Sequence, residues 1–354
     1  MDDYPVEVQQ GLKELEEHYT DFEVNSRGAN GYLFLANNKV SNQDVAIKFY
    51  AGEPGLHQHD EPRQLAALKS DNVLPILDAR VVSDDWGYFV TPRCKEGDLD
   101  DFIQQSPSAH HALDTALGIC NGVSAIHAAG MLHRDLKPGN IVIDGGRPRI
   151  ADFGSVKAIS ADEEYINAPR HSILYRPPES FATDQYTARG DIYQVGLLIY
   201  QLLGGSLPYD GEKYLSRSEI REYSQIEDEI DKSIFIDNII RMRAESGKLI
   251  RLSTLPLWVP GSARRFLNIT LNPNPENRYP TIAEVAAGLT QVRSTVKDWR
   301  WHDDCPTLFM PDHTIQLRKD PKLGCVAYKK SNGGDFRRIP RLSSHNMAIL
   351  TRKI

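Results

Sequence analysis

What most constrains the fold of this chain is the order in which two textures of sequence follow one another. From Asp21 to Ala51, short apolar or alternating runs (FEVNS, GYLFLANN, DVAIKFY) are separated by the turn-forming stretches RGAN and KVSNQ. That pattern predicts a three-stranded antiparallel meander. A short helical period, EPRQLAALKS, and more strand-like text, VLPILDARVV and WGYFVTP, come next. Past Glu96-Gly97-Asp98 the period turns helical, through LDDFIQQ, ALDTALGICNGVSAIHAAG, RGDIYQVGLLIYQLLGG, ARRFLNITL and TIAEVAAGLTQVRSTVKDW. A β-rich first third ahead of a mainly helical remainder predicts an α+β protein of two unequal lobes, and 354 residues are enough for two substantial cores. QQGLKELEEHY has the spacing of a short leading helix, and beyond Trp301 the text is strand-like again (TIQLRK, CVAYKK, NMAILTRK) with turns such as SNGGD. This tail is too short for a substantial core of its own and is expected to pack on the large lobe. The expected organisation is a helical lead-in over 1–20, a small lobe over 21–93, a large lobe over 94–300 and a β-rich extension over 301–354.

A formal net charge of −7 argues against a nucleic-acid surface, though a local basic patch is compatible with it. The four cysteines, Cys94, Cys120, Cys305 and Cys325, form no CxxC pair, which fits a reduced compartment. His302, Cys305, His313 and Cys325 match no standard zinc spacing, so no metal is expected there. The acidic start MDDYPVEVQQ lacks the basic and apolar regions of a signal peptide, and the longest apolar run, Val195–Leu203, is too short to span a bilayer. The expectation is a soluble, cytoplasmic protein without membrane or nucleic-acid partners.

The stretch MLHRDLKPGNIVIDGGRPRIADFGS, Met131 to Ser155, carries the chemistry. Asp135 and Asp152 stand on either side of Lys137 and Asn140, with Asp152 twelve residues past the asparagine. Phosphoryl transfer from a nucleotide needs such a set: one carboxylate to orient a hydroxyl and take its proton, a second carboxylate with an amide oxygen to hold magnesium, and a cation to offset phosphate charge. HRDLKPGN followed by DFG closely resembles the catalytic and metal-binding loops of the protein kinase superfamily. The resemblance implies a bilobal protein-kinase fold, with a small β-rich N-lobe and a large mainly helical C-lobe, and it implies ATP and Mg²⁺. By position, Asp135 would be the catalytic base and Lys137 would contact the transferred phosphate. Asn140 and Asp152 would ligate Mg²⁺, and Phe153 would pack beneath the small-lobe helix.

The other half of the site follows from the same resemblance. VAIK places Lys48 on the third strand, where the family has the lysine of the α- and β-phosphates. Gly31, seventeen residues earlier, matches the last glycine of the phosphate-covering loop, which puts the family's first two glycines at Ser26 and Gly28. The first is therefore a serine, which implies a looser cover. Glu61, thirteen residues after Lys48, with Leu65 and Leu68, fits the helix glutamate that pairs with the lysine. Pro62 directly after it is tolerated only in the first helical turn, so the helix is expected to begin near Glu61. Leu33, Ala46 and Val142 would wall the adenine, with Thr91 as gatekeeper and Pro92 and Cys94 giving a hinge carbonyl and N–H. Pro177-Pro178-Glu179 stands where the family commonly has Ala-Pro-Glu. Glu179 would pair with Arg278, and Asp191 would anchor the catalytic loop.

Lys137, two residues after Asp135, resembles serine/threonine kinases rather than tyrosine kinases. Ser172 and Tyr175 fall in the substrate loop, and Arg134 matches the arginine that receives an activation-loop phosphate in relatives. Asp162, Glu163 and Glu164 could stand in for that phosphate, so the mode of control stays open. Residues 210–260 and the C-terminal extension exceed a minimal kinase. Either could hold a regulatory or docking partner, the bland alternative for 210–260 being a solvated helical insertion. The expected activity is serine/threonine protein kinase, with autophosphorylation. A pseudokinase scaffold would be marked by loss of Lys48, Asp135, Asn140 or Asp152, and none is lost. A small-molecule kinase of related fold fits less well, because Pro-Pro-Glu and the Ser172–Tyr175 loop shape a peptide platform.

Overall fold

Alternation along one strand sets the two faces of the small lobe. In the computed structural model, which describes residues 4–25, 31–51, 60–159, 163, 165–168, 173–331 and 333–354, β3 (Asp44–Ala51) buries Val45, Ile47 and Phe49 on one side. Ala46, Lys48 and Tyr50 point to the other side and are half-buried. The strand sits in a sheet of order β1-β2-β3-β5-β4, with β1 (Tyr19–Asn25), β2 (Tyr32–Asn38), β4 (Asp78–Val81) and β5 (Trp86–Pro92), all pairs antiparallel. Helix α1 (Val6–Leu15) lies across the first face, where Val8, Leu12 and Leu15 cluster with Phe34, Val45, Ile47, Phe49 and Val90. A Cβ at Gly11 would stand 2.6 Å from the Phe49 ring, so the helix approaches this closely only through a glycine. Each of these buried side chains contributes about 1.5–3 kcal/mol. Helix α2 (Asp60–Ala67) carries Glu61 and, one residue on, Pro62, both within its first turn. The helix thus starts where the proline requires.

The large lobe is built on helices with α6 (Ala188–Leu202) at its centre. That helix is buried from Gly190 to Leu202, as an all-round apolar helix must be. It packs with α3 (Leu99–Gln104), α4 (Ala109–Ala128), α9 (Gly261–Thr270) and α10 (Ile282–Thr295) around one core that also takes in Leu65 and Phe89 of the small lobe. Short pairs of strands edge the cleft: β6 (Met131–Leu132) with β9 (Lys157–Ala158), β7 (Ile141–Asp144) with β8 (Arg147–Ile150), and β10 (Ile166–Asn167) with β11 (Gln185–Tyr186). Gly145 and Gly146 close the β7–β8 hairpin with φ of 58° and 72°, as a two-residue turn of this hand requires. The remaining helices are α5 (Glu179–Thr183), α7 (Arg217–Tyr223) and α8 (Glu229–Glu245). The last two lie in the charge-rich 210–260 region and are tied together by an Arg243–Glu219 pair at 2.7 Å.

The C-terminal segment departs from its sequence reading in two ways. Its strands β12 (Trp299–His302), β13 (Cys305–Phe309), β14 (His313–Asp320), β15 (Gly324–Ser331) and β16 (Arg337–Ser344) make a five-stranded antiparallel meander. NMAILTRK, however, is a helix, α11 (Met347–Lys353), capped by the Asn346 side chain accepting from the Ala348 N–H. Met347, Leu350 and Ile354 meet the sheet at three- and four-residue spacing, a period that seven residues are too few to reveal. Nor does the tail lack a core. Trp299, Leu308, Ile315, Leu317, Cys325, Ala327 and Leu350 form one, and Trp258 of the large lobe stacks on Trp299 with ring centroids 6.2 Å apart.

Candidate active site

The cleft-facing side of β3 brings its lysine to two carboxylates. Lys48 Nζ lies 2.8 Å from Glu61 Oε1 on α2 and 3.0 Å from Asp152 Oδ1. Burial alone would push the Lys48 ammonium down, but the two carboxylates outweigh it and hold it up. Burial likewise pushes Asp152 up and is overcome by Lys48, so its carboxyl sits below the usual range. Both groups are ionised at neutral pH. Glu61 Oε1 also accepts the Phe153 N–H at 3.2 Å, which joins α2 to the loop that carries Asp152. Phe153 is buried in the same core as Leu65 and meets the His133 ring edge-on at 5.4 Å.

On the opposite wall, Asp135 accepts at Oδ2 from Lys137 Nζ (2.7 Å) and from Asn140 Nδ2 (3.0 Å). Asn140 Nδ2 also donates to the Asp135 carbonyl at 2.7 Å. Among the described residues no donor reaches Asp135 Oδ1, so that oxygen is open. With its amide nitrogen engaged, Asn140 has Oδ1 left for a cation. Its carbonyl accepts the Ala151 N–H at 2.8 Å, which ties it to the residue before Asp152. An amide oxygen and a carboxylate are the hard oxygen donors that Mg²⁺ takes, so the set fits that metal. Arg134 and Asp152 both hold left-handed backbone (φ 73° and 57°), where only a few per cent of non-glycine residues are found. His133 is fully buried and burial lowers its pKa. Its Nδ1 accepts the Asp135 N–H and its Nε2 faces the Ala151 carbonyl, which sets the neutral ring as the Nε2–H tautomer.

The sheet register gathers the apolar residues of the same cleft. Leu33 pairs with Lys48 and Ala46 pairs with Thr91, so all four share one face of the sheet. Val142 bridges to Asp98 from below. Thr91 is buried and donates to the Ala46 carbonyl at 3.4 Å. Next to it, Pro92 and Cys94 are half-buried, and the Cys94 N–H has no acceptor among the described residues. Burial pushes the Cys94 thiol up to about 11, so it is neutral and unreactive. Gly31 has a φ of 103°, and a Cβ there would come within 2.3 Å of the Phe49 carbonyl oxygen. No other residue fits at this point. Ser26, Gly28 and Ser172 lie outside the described residues.

Residues 19–288 match the protein kinase domain model. The chain belongs to the protein kinase family. It is similar to the serine/threonine-protein kinases PknA of Corynebacterium glutamicum, 26% identical over 284 residues that are 75% of this chain and 54% of that one. It is also similar to serine/threonine-protein kinase PknB of Mycobacterium leprae, 26% identical over 295 residues (79% and 44%). A third relative is serine/threonine-protein kinase PrkC of Bacillus subtilis, 28% identical over 215 residues (58% and 33%). The matched parts thus span about half or less of these relatives' own lengths.

The braces of this kinase domain come from α6 and the helices around it. Asp191, 0% exposed, accepts from the His133 and Arg134 N–H groups (2.9 and 2.8 Å), from His127 Nε2 (2.8 Å) and from the Tyr186 hydroxyl (2.9 Å). Sequence reasoning found Asp191 but missed Gln194, one helical turn on. Its Oε1 accepts the Leu136 N–H, and its Nε2 donates to the carbonyls of Arg134 and Tyr175. The available signal was polar residues at 191, 194 and 201 in a helix that is otherwise mainly apolar past Arg189. Tyr175, read as a substrate-loop residue, is 0% exposed and bonds to Gln201 Oε1 at 3.0 Å. It therefore shapes the loop from beneath. Arg134 donates to the Ser155 and Asn167 carbonyls at 3.1 and 2.7 Å, so its guanidinium already fastens the activation segment.

Asp191 also sets an acid limit. Burial pushes its carboxyl up, but His127, His133 and the Arg134 N–H together hold it below the ordinary 3.8. A depressed folded value means that its stabilisation is complete above the unfolded value and is lost as pH falls through the folded one. The urea midpoint is expected to be flat between about pH 7 and 5 and to fall below about pH 4. Asp191→Asn should blunt that fall, and an unchanged acid profile would assign the acid sensitivity to other groups.

Proposed function

We propose that this chain is a protein kinase that transfers the γ-phosphate of ATP to serine and threonine hydroxyls of proteins. The observation that carries the reading is the meeting, across one cleft, of the Lys48–Glu61–Asp152 network with the Asp135–Lys137–Asn140 loop. In this reading the adenine lies between Leu33, Ala46 and Val142, with its polar edge on the Pro92 carbonyl and the free Cys94 N–H. Lys48, held charged and aimed by Glu61, meets the α- and β-phosphates. Mg²⁺ bound by Asn140 and Asp152 would neutralise charge on the phosphates. A substrate hydroxyl is oriented by the open Oδ1 of Asp135 and gives its proton to that carboxylate, while Lys137 faces the transferring phosphoryl group. Lys137 and the relatives' names support serine and threonine as acceptors. A cytoplasmic site of action belongs to the same reading, supported by four cysteines that are all free thiols.

The test is to incubate the chain with labelled ATP, Mg²⁺ and a generic basic protein, beside Asp152→Asn, and to map the phosphorylated residues. Label is expected on serine and threonine, and none is expected with Asp152→Asn. ATP binding without transfer would instead mark a pseudokinase scaffold, and label on tyrosine alone would overturn the acceptor assignment. Transfer only to small molecules would point to the related-fold alternative.

A further inference from the structure

The net charge of −7 is an average over two opposite parts. Residues 299–354 hold eleven lysines and arginines against five aspartates, whereas the rest of the chain holds 30 basic residues against 43 acidic ones. Within the basic segment, strand register sorts the charges by face. One face of the β12–β16 meander is the apolar core against α11 and Trp258. On the other, Arg300 pairs with Thr307, Thr307 with Gln316, Gln316 with Tyr328 and Tyr328 with Arg338, one row across all five strands in which Thr307 and Gln316 are buried beneath the longer side chains around them. Four inter-strand spacings make that row about 19 Å long.

The cations of this face are laid over rings. The Arg300 guanidinium lies 3.8 Å from the Phe309 ring centroid. Arg318 covers Tyr328 at 4.6 Å and Phe336 at 4.8 Å, and Lys330 lies 5.7 Å from Phe336. Arg300, Lys330 and Arg338 are exposed, Arg318 donates through Nε to Gln316 Oε1 at 2.7 Å, and among the described residues none of the four cations has a carboxylate within 4 Å. Four of the segment's acids (Asp303, Asp304, Asp312, Asp335) stand in the links between strands. The fifth, Asp320, ends β14 with its Oδ1 on the Lys322 and Leu323 N–H groups. Asp320 shares the face and lies within electrostatic reach of Arg338, so one acid stands against four cations and the face keeps a net positive charge.

We propose that this face of the C-terminal sheet binds single-stranded nucleic acid. Phosphates answer the excess of cations, and bases stack on the flat guanidinium and ring surfaces, two kinds of contact that this class of ligand makes together. An acidic peptide would meet the cations and leave the rings unused. An anionic bilayer would meet the turn tips first, and those carry the aspartates. The inference is independent of phosphoryl transfer, because no residue of the cleft takes part.

The test uses the full chain and fluorescence anisotropy with labelled oligo(dT) and oligo(rU) of about 16 nucleotides. Binding is expected to weaken roughly 50-fold between about 50 and 200 mM salt, the loss for about four phosphate contacts on a single strand. The double variant Arg300→Glu/Arg338→Glu should lose at least about tenfold in affinity and flatten the salt slope. Lys330→Glu, a single change at an exposed site, should do the same to a smaller degree. Tyr328→Ala should lose about fivefold or more with the slope unchanged, since it removes stacking and not charge. Circular dichroism melts of each variant identify any that fail to fold. Failure of both oligomers to bind at low salt would overturn the proposal. So would equal affinity of the folded charge variants, tighter binding of polyglutamate, or binding to phosphatidylserine vesicles alone.

Discussion

Asp135→Asn is expected to lower the turnover number for phosphoryl transfer by about 10²–10⁴-fold, the range for losing a positioned general base. Its effect on the Michaelis constant for ATP should be small. The asparagine is nearly isosteric, so Lys137 Nζ and Asn140 Nδ2, now 2.7 and 3.0 Å from Oδ2, can each keep an amide oxygen as acceptor. What goes is the basicity of the open oxygen. Steady-state kinetics with ATP and a phosphorylatable protein would read the two constants separately. A large rise in the ATP constant at unchanged turnover would show that Asp135 serves nucleotide binding instead, and the roles given to the two aspartates would have to be exchanged.

Arg278→Ala is expected to be the most destabilising single change outside the cleft, by about 3–5 kcal/mol, as for breaking a buried ion pair from one side. Arg278 is 3% exposed and its two terminal nitrogens bond to the two Glu179 carboxylate oxygens at 2.8 and 2.6 Å. The same guanidinium donates to the carbonyls of Asn272, Arg189 and Pro273 and lies 4.8 Å from the Tyr193 ring centroid. Alanine would leave those carbonyls and the Glu179 carboxylate without their donors, a penalty greater than the net value of the pair itself. Urea unfolding would measure it. A loss below about 1 kcal/mol would place the pair with ordinary surface bridges.

The candidate site was legible in unequal parts. The catalytic loop reads directly, because Asp135, Lys137 and Asn140 are held by bonds among residues at most five apart. Their spacing is therefore their geometry. Lys48 and Glu61 are thirteen residues apart and reach each other through a strand and a helix, so their meeting depends on packing that spacing does not carry, although the proline after Glu61 marked where the helix starts. Gln194 escaped because its partners, Arg134, Leu136 and Tyr175, lie 19 to 60 residues away. Tyr175 was legible as part of its loop, and packing decided how it serves there, with its ring turned inward to Gln201.

The sequence by itself determined the residues of the candidate catalytic loop, the β-then-α order of the two lobes and the meander of the small lobe. Each of these is written in local spacing, where period or motif decides. Tertiary structure alone decided what depends on neighbours distant in the chain. It laid α1 over the outer face of the small-lobe sheet and gave the tail a core closed by a helix. It also gathered the cations of the basic tail onto one face of its sheet. A sum of charges carries no positions, and only strand register puts Arg300, Tyr328 and Arg338 in one row.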